Sequence, residues 1–486
     1  MQDKLKQLTK DTFLYGLSTI LGRFLNFLLV PFHTHFFHPA DYGIIANLYA
    51  PIAVLNIIFL FGMDTAYLKF AGSADPAKRS SIYLTALVPV LIVDSLIVVI
   101  LIVFSPVLSG LFHIPKQYDY LWLYCAGILF LDALTALPYI SLRLQKKVLR
   151  FSAIRVANIL LNIVLNIVFI IFLNMGIESI LISNFIASAL SFVLLLPEVT
   201  EFFRGVFDRD LLGRLFRFGI PYLPAGIASM FMQVIDRPIV EKLKGYETLG
   251  VYQANYRLGI FMMLYVSMFQ YAWQPFFLEN SKVPEGKILF AKVFTYFTAI
   301  GAVILVILSF FISDIATLRV FNFSLVGKEY WRGLSIIPVV LLAYLFNGFY
   351  FNFSAGLFIK EKSFIFPLIM GMGAVSNVAA NYLLIPVFDI MGAAISTLIS
   401  YSLMAIGFYF AANKVFPVSY EWRKIGSILF LIGLYGAVYY SFYIYLNNHI
   451  LIKLALSILF ITVLFAGKIL TLNSVRSLIK RKVLLN

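Results

Sequence analysis

Residues 13–37 read FLYGLSTILGRFLNFLLVPFHTHFF, an apolar run that carries one fixed charge, at Arg23. About 20 consecutive apolar residues can cross a bilayer as a helix, so this run predicts a transmembrane helix. A cation inside such a helix is costly, and membrane proteins usually keep it for an anionic ligand or a buried partner. Arg155, Arg237 and Arg257 lie in similarly apolar surroundings. The function therefore depends on what these four cations face.

The composition extends this prediction to the whole chain. Of its 486 residues, 61% are hydrophobic and 13% are charged, and the mean hydropathy is +0.92. Ordinary soluble domains carry about 25% charged residues, so most of this chain is expected to face lipid. We attribute the net charge of +15 to membrane orientation and to anionic lipid. No polar basic domain is evident, so no nucleic-acid partner is expected.

Charge clusters, glycines and prolines divide the sequence into fourteen predicted transmembrane helices, an all-α multi-pass fold. Helices 1–14 are predicted at 12–37, 42–70, 80–104, 118–141, 150–174, 177–197, 214–241, 247–279, 287–312, 331–358, 364–386, 389–413, 423–446 and 449–470. With a cytoplasmic N-terminus, 27 of the 38 Lys and Arg residues flank inner helix ends, seven flank outer ends and four lie within helices. The positive-inside rule then places both termini in the cytoplasm. The cytoplasmic link 198–213, where apolar and charged residues alternate, is predicted to form an interfacial helix.

An internal repeat relates helices that are six apart. Pro31 precedes Gly43 by the same interval as Pro238 precedes Gly250, and the shared offset is 207 residues. Because six is even, the repeats point the same way across the membrane, with substrate expected between the lobes near the midplane. The predicted boundaries are an N-terminal six-helix lobe at 1–204, a C-terminal six-helix lobe at 205–413, and helices 13 and 14 with a cytoplasmic tail at 414–486. We expect Pro31 and Pro238 to bend helices 1 and 7.

Other polar residues of the apolar segments have structural interpretations. The pair Asn162 and Asn166 on helix 5 recurs as Asn377 and Asn381 on helix 11, and this repetition favours hydrogen bonds between helices over ligand binding. The cluster His33, His35 and His38 is predicted to lie at the membrane interface rather than to bind a metal. We expect no cofactor and no metal, and only H⁺ or Na⁺ as a coupling ion.

The candidate substrate-binding residues are the charges inside the helices: Arg23, Asp64, Arg155, Asp236, Arg237 and Arg257. Pairing within the protein is the alternative, because Asp64 could neutralise Arg23, and Asp94 and Asp132 are also available. Adjacent residues on a helix point about 100° apart, so Asp236 is a poor direct partner for Arg237. A guanidinium matches phosphate oxygens with two hydrogen bonds and stays charged, so an arginine-lined cavity suits a phosphate or diphosphate.

Three motifs resemble the start of bacterial polysaccharide transporters: GRFLNFLLVP at 22–31, PADYG at 39–43 and GMDTA at 62–66. The chain is similar over its whole length to the Wzx-type O-antigen flippases of the multidrug/oligosaccharidyl-lipid/polysaccharide exporter superfamily. The resemblance implies two lobes around a central cavity in the cytoplasmic (inner) membrane. It implies that an undecaprenyl-diphosphate-linked O-antigen, capsule or exopolysaccharide unit is moved to the outer leaflet.

The resemblance also implies partners and limits. Helices 13 and 14 would offer the lipid tail an apolar surface, and the partners would be the lipid-linked glycan, membrane lipids, and a polysaccharide polymerase with chain-length machinery. Related lipid II flippases have an Arg-Asp pair after the first arginine, where this chain has Leu29 and Val30. Drug exporters of the superfamily typically carry an acidic residue on helix 1, where this chain has Arg23.

Two other functions stay open at this point. The first is a cation-coupled exporter of drugs or other amphiphiles, which the sign of the charge on helix 1 disfavours. The second is a membrane polysaccharide polymerase or ligase, which would need a larger outer loop than the sequence offers. We therefore predict a transporter rather than an enzyme.

Overall fold

The computed structural model is almost entirely helical. It describes residues 27–72, 74–202, 205–281, 283, 285–320, 323–360, 362, 364–442, 445–446 and 449–467, together with Gly22 and Leu25. The strands in this part of the chain form one short antiparallel hairpin, Arg319–Val320 with Phe323–Ser324. The predicted all-α class is confirmed, because eleven helices in the described residues are long and apolar enough to cross a membrane.

The helical segments follow the predicted order of helices 1–14. Helix 1 is described at Leu29–Phe36, helix 2 at Pro39–Leu60 and Met63–Gly72, helix 3 at Pro76–Val103, helix 4 at Leu121–Leu144, helix 5 at Val148–Ile167 with a π-helical turn at Val168–Phe172, and helix 6 at Glu178–Phe202. Helix 7 comprises Arg209–Gly219, Tyr222–Val234 and the first part of Asp236–Arg257, and helix 8 comprises the rest of that segment and Ile260–Asn280. Helices 9–14 are Gly286–Thr317, Ile337–Ile359, Ile365–Phe388, Ile390–Val415, Trp422–Ser441 and Ile450–Ala466. The connections contain a short helix, Ser105–Leu111, and the 3-10 segments Lys116–Tyr118 and Lys328–Ile336.

Breaks between these segments fall where the backbone leaves helical geometry. Helix 2 breaks at Phe61 and Gly62, whose φ angles are 30° and 80°. Gly245, with φ 80° and ψ 175°, separates helix 7 from helix 8. Helix 7 is also interrupted at Ile235, three residues before Pro238, which lacks the N–H that would continue the hydrogen-bond ladder. The gap that was predicted between helices 7 and 8 is therefore explained by the non-helical backbone of Gly245.

The segment 198–213, predicted as an interfacial helix, is divided between two helices. Glu198 belongs to helix 6, which continues to Phe202, and the next helix begins at Arg209. Asp208 caps that helix, because its side chain accepts hydrogen bonds from the backbone N–H groups of Asp210 and Leu211 at 2.9 and 3.0 Å.

The chain divides into two compact units. The first comprises Met1–Gln253 and Asn381–Pro386, and the second comprises Ala254–Ala380 and Val387–Asn486. The lobe boundaries after residues 204 and 413 were predicted from the repeat, and they stay a prediction.

Each unit has its own core. In the first, Trp122 of helix 4 is fully buried and donates to the Ser109 hydroxyl at 3.1 Å. In the second, helices 10 and 12 pack closely, and the ring of Phe294 lies 5.2 Å from that of Tyr420 near the predicted cytoplasmic ends. Within each unit, this packing holds the helices in place, including those that carry the candidate charged residues.

Candidate functional site

Arg155 is the candidate whose surroundings the structure shows most fully. It lies two turns into helix 5, and its side chain is exposed. The guanidinium carbon is 4.5 Å from the ring centre of Tyr139 and 5.5 Å from that of Phe151. Cation–π contacts of this kind hold a guanidinium without using its N–H donors. No carboxylate in the described residues lies within ion-pair distance of Arg155, so those donors can meet an anion.

The helices around Arg155 are joined by polar contacts. The Ser188 hydroxyl donates to Asp132 at 2.8 Å, which links helix 6 to helix 4. The Asn158 amide donates to the Ala187 carbonyl at 2.7 Å and to the Ser191 hydroxyl at 2.9 Å. Asp132 interacts electrostatically with Arg155 without a direct contact. Helices 4, 5 and 6 therefore form a hydrogen-bonded support for the cation, with the carboxyl group of Asp132 nearby.

Closer to the N-terminus of helix 5, Arg150 forms an ion pair that was not predicted. Its Nε and Nη2 atoms lie 2.9 and 3.0 Å from the two carboxylate oxygens of Glu198. Glu198 is only 2% exposed, whereas Arg150 is 44% exposed. In the sequence, Arg150 counted as a topology signal and Glu198 as part of a surface link. This two-bond geometry is the kind a guanidinium would also offer a phosphate.

Asp236 and Arg237 lie at the start of the third segment of helix 7. Asp236 is buried, and its Oδ2 accepts a hydrogen bond from the Tyr252 hydroxyl. Arg237 contributes electrostatic attraction to Asp236. Asp236 therefore combines a side-chain hydrogen bond from a residue sixteen positions later with electrostatic attraction and a backbone hydrogen bond from its neighbour, Arg237.

Arg257 lies in the second unit, at an interruption of helix 8. It is the last residue of Asp236–Arg257, and the next helical segment starts at Ile260. The helix macrodipole favours a cation at this end. Interrupted helices near the midplane are where transporters commonly bind substrates and ions. In the sequence, the signal that could have indicated this interruption is Gly259.

Two other predicted residues have limited or no description. Asp64 is the second residue of the second segment of helix 2, where the Thr65 hydroxyl donates to its carboxylate at 3.3 Å. Arg23 lies outside the described residues. Its pairing with Asp64 therefore stays a prediction.

The outer end of helix 1 is tied to helix 5. His33 is 3% exposed, and its Nε2 lies 2.9 Å from Oδ1 of Asn166. The Asn166 amide in turn donates to the Asn162 side chain at 2.7 Å. The predicted structural role of this asparagine pair is confirmed, and the interfacial prediction for His33 is wrong because the side chain is buried. Pro31 lies in helix 1, and its carbonyl accepts from Thr34 and His35 at 3.0 and 2.9 Å.

The glycines of the internal repeat make a reciprocal contact. A Cβ atom added to Gly43 would lie 2.1 Å from the carbonyl oxygen of Tyr246, and one added to Gly250 would lie 1.8 Å from that of Pro39. These four positions are related in pairs by the offset of 207 that the sequence shows. The first turns of helices 2 and 8 therefore approach each other as closely as backbones allow.

Side chains reinforce this contact on the predicted outer side. The Asn47 amide donates to the carbonyl of Phe112 at 2.8 Å, and the Tyr246 hydroxyl donates to that of His113 at 2.9 Å. His113 Nδ1 lies 2.9 Å from Oε2 of Glu241. The loop after helix 3 and the ends of helices 2, 7 and 8 are thus held together in the first unit.

The fold is similar to those of solved multi-pass membrane transport proteins. Over 94% of this chain and all of the other chain, it is similar to the structure described as the lipid II flippase MurJ in an inward closed conformation, with a TM-score of 0.74 and 15% identity. It is also similar to an inward-facing multidrug resistance MATE family transporter of the MOP superfamily, with a TM-score of 0.67 and 14% identity over 84% of this chain and 95% of that one. At these identities the similarity concerns the fold.

Sequence comparison identifies the family. The model of the polysaccharide biosynthesis protein family matches residues 34–283, just over half of the chain. The protein belongs to that family. A curated relative, an uncharacterized membrane protein of Methanocaldococcus jannaschii, is 22% identical over 96% of each chain. The predicted relation to polysaccharide biosynthesis is thus confirmed by the family model, and the fold is similar to those of the flippase and exporter structures named above.

Proposed function

We propose that the protein is a flippase for a lipid-linked oligosaccharide. The cargo is an undecaprenyl-diphosphate-linked repeat unit of O-antigen, capsule or exopolysaccharide, which crosses the cytoplasmic membrane by alternating access. Membership of a polysaccharide biosynthesis family and a flippase-like and exporter-like fold support this reaction class. The choice of an anionic cargo rests on the surroundings of Arg155. This cation lies in a membrane helix, packs against two aromatic rings, and contacts no carboxylate of the described residues directly.

In this mechanism the diphosphate supplies the missing anion. Arg155 would offer two parallel N–H donors to the phosphate oxygens, and Asp132 would keep the site from holding the cargo too tightly. Arg23, Arg237 and Arg257 are proposed as further diphosphate contacts, and Asp64 and Asp236 as carboxylates that moderate the positive field. Pro31 and Pro238 are proposed as points where helices 1 and 7 bend.

Release to the outside requires the outer helix ends to separate. We propose that the contact between Gly43 and Gly250 closes the pathway and that it opens when the cargo leaves. The lipid tail would stay in the membrane beside helices 13 and 14. A proton or sodium gradient is proposed as the driving force, and a polysaccharide polymerase with its chain-length machinery as the downstream partner. No covalent chemistry is required of the protein.

The test is complementation of a flippase-deficient strain, with surface polysaccharide as the readout and matched membrane expression. Losing one charge-assisted hydrogen bond costs about 1.5–3 kcal/mol, so Arg155→Ala should reduce export about tenfold or more. Arg155→Lys should restore part of it, because the charge is kept while the paired donors are lost. Lys116→Ala, an exposed cation of the outer loop, is the control. Normal export by Arg155→Ala, Arg23→Ala and Arg257→Ala together would refute the cationic site.

Topology and coupling are tested separately. Reporter fusions after residues 204 and 486 should place both sites in the cytoplasm. Export should fall when one of the two gradients, proton or sodium, is collapsed alone, and the gradient that matters identifies the coupling ion. Export that survives the collapse of both gradients would contradict ion coupling without affecting the cargo assignment.

A further inference from the structure

A separate cavity lies in the second unit, between helices 9, 10 and 13. Its volume is about 290 Å³, and its wall is almost wholly apolar, with Val306, Phe310, Leu342, Phe346 and Tyr435 among its residues. The backbone of helix 13 forms one side, because Gly433 and Gly436 both line the cavity. An added Cβ atom at either glycine would meet no atom within 4 Å. The missing side chains therefore create this space.

The cavity has a polar edge towards the outer end of helix 9. The hydroxyl of Ser309 is buried, lines the cavity, and has no hydrogen-bond partner in the described residues. Ser313, one turn further and outside the cavity wall, also has a buried hydroxyl with no hydrogen-bond partner in the described residues. The hydroxyl of a serine in a helix can donate a hydrogen bond to the backbone carbonyl four residues earlier, as Ser457 does to Lys453 at 2.8 Å. Two serines that do not do so leave donors for a polar group beside the cavity.

Basic residues outnumber acidic ones beyond this edge. Four of the seven basic residues assigned to the outer side lie at the ends of helices 9, 10 and 14, namely Arg319, Lys328, Arg332 and Lys453, together with the acidic residues Asp314 and Glu329. Lys453 is buried and pairs with Asp314, which follows Phe310 by one helical turn. Arg332 is exposed in the 3-10 helix Lys328–Ile336, which the Tyr440 hydroxyl holds by a hydrogen bond to the Ser335 carbonyl at 2.8 Å. Tyr440 itself lines the cavity.

We propose that this cavity binds one acyl chain of an anionic phospholipid from the outer half of the membrane. The headgroup lies against Arg332 and Lys328, and its polar link meets Ser309. Inside a bilayer an acyl chain gains little by leaving other lipid tails, so the preference must come from the headgroup and from shape. The basic residues would attract the headgroup, and the space left by Gly433 and Gly436 would fit the shape of the chain.

A volume of 290 Å³ holds about ten groups the size of a water molecule, which is part of one lipid chain. The polar edge favours a phospholipid over the tail of the cargo, because the ester carbonyl beside an acyl chain can accept a hydrogen bond from Ser309, whereas an undecaprenyl chain is a hydrocarbon without acceptors. The site is also distinct from Arg155, which lies in the other unit. The proposal therefore does not rest on the flippase assignment.

The experiment uses the full-length protein, purified in detergent and then given phosphatidylglycerol, phosphatidylcholine with the same chains, or undecaprenyl phosphate. Bound lipid is counted by native mass spectrometry, and the melting temperature is followed in parallel. Gly436→Leu fills the cavity. Gly426→Leu, on the same helix and equally free of neighbours within 4 Å but outside the cavity, is the matched control. Arg332→Gln removes the headgroup contact.

Phosphatidylglycerol should bind the wild type and Gly426→Leu and raise their melting temperatures. Gly436→Leu should bind it about tenfold more weakly, and Arg332→Gln should lose the preference for phosphatidylglycerol over phosphatidylcholine. Equal binding by Gly436→Leu and Gly426→Leu would overturn the proposal. Binding of undecaprenyl phosphate in place of phosphatidylglycerol would also overturn it, in favour of a tail site for the cargo. If Gly436→Leu does not fold, an unchanged lipid preference in Arg332→Gln is sufficient to reject the site.

Discussion

Replacing Gly250 by alanine should break the reciprocal contact between helices 2 and 8. The new methyl group would lie 1.8 Å from the Pro39 carbonyl oxygen and 3.0 Å from its Cα atom, so the two backbones must separate by more than about 1 Å. Backbone shifts of this kind cost about 1–3 kcal/mol. Alanine recovers about 0.4–1 kcal/mol by restricting the unfolded chain. We therefore expect a net loss of stability of about 1.3 kcal/mol from the midpoints of these ranges, and of about 2.6 kcal/mol at most.

The single cysteine provides the assay. Cys125 is fully buried in helix 4, so a thiol-reactive dye labels it only when the first unit opens. Gly213→Ala, in an exposed helical position where the added Cβ meets nothing within 4 Å, is the control and should not lower the melting temperature. If the melting temperatures of Gly250→Ala and Gly213→Ala coincide, the close contact is not present in the protein.

A double-mutant cycle sharpens the same test. Gly43→Ala should also destabilise, because its methyl group would lie 2.1 Å from the Tyr246 carbonyl oxygen. Once the helices have separated for one methyl group, the second should cost less, so the double variant should be more stable than the sum of the two losses predicts. Strict additivity would show that the two glycines do not share one interface.

Three further outcomes follow from the ion pairs. Arg150→Ala should destabilise by about 1–3 kcal/mol because it leaves the buried Glu198 carboxylate unpaired, and the loss should shrink in a Glu198→Gln background when both are measured by thermal unfolding. Asp314→Asn should lower the melting temperature more than Lys453→Met, because Lys453 is 1% exposed and Asp314 is 34% exposed, and the reverse order would contradict the pairing. Burial of Glu421 opposes its ionisation, but the hydrogen bonds from Lys424 and Thr295 and the charges of Lys424 and Lys292 outweigh burial and lower its pKa. The ionised carboxylate should therefore stabilise the protein above its unfolded pKa, and this stabilisation should be lost as the pH falls through the lower folded pKa. The difference in melting temperature between the wild type and Glu421→Gln should accordingly disappear in acid.

The helix pattern was predictable because each helix needs its own apolar run. The periodic placement of charge and the repeat around Gly43 and Gly250 located the breaks between helices within a few residues. The same repeat contained the reciprocal glycine contact, although sequence alone could not show that the two glycines meet. Helix boundaries could be predicted because they depend on residues that are close together in the sequence.

Partner choice was much harder to predict, because it depends on contacts between helices distant in the sequence. Arg155 was singled out by its charge, and Phe151 could have been identified as a neighbour because it lies four residues away on the same helix. Tyr139 and Glu198, which come from other helices, carried no such signal. His33 was assigned to the membrane surface from its position near a helix end, whereas its hydrogen bond to Asn166 buries it.

The hydrogen bond between His33 and Asn166 couples the outer end of helix 1 to helix 5. A conformational change that moved this end of helix 1 alone would break a buried hydrogen bond, which costs about 1–3 kcal/mol. We therefore expect the two helices to move together at this end, so that helix 5, which carries Arg155, and the outer end of helix 1 form one mechanical unit.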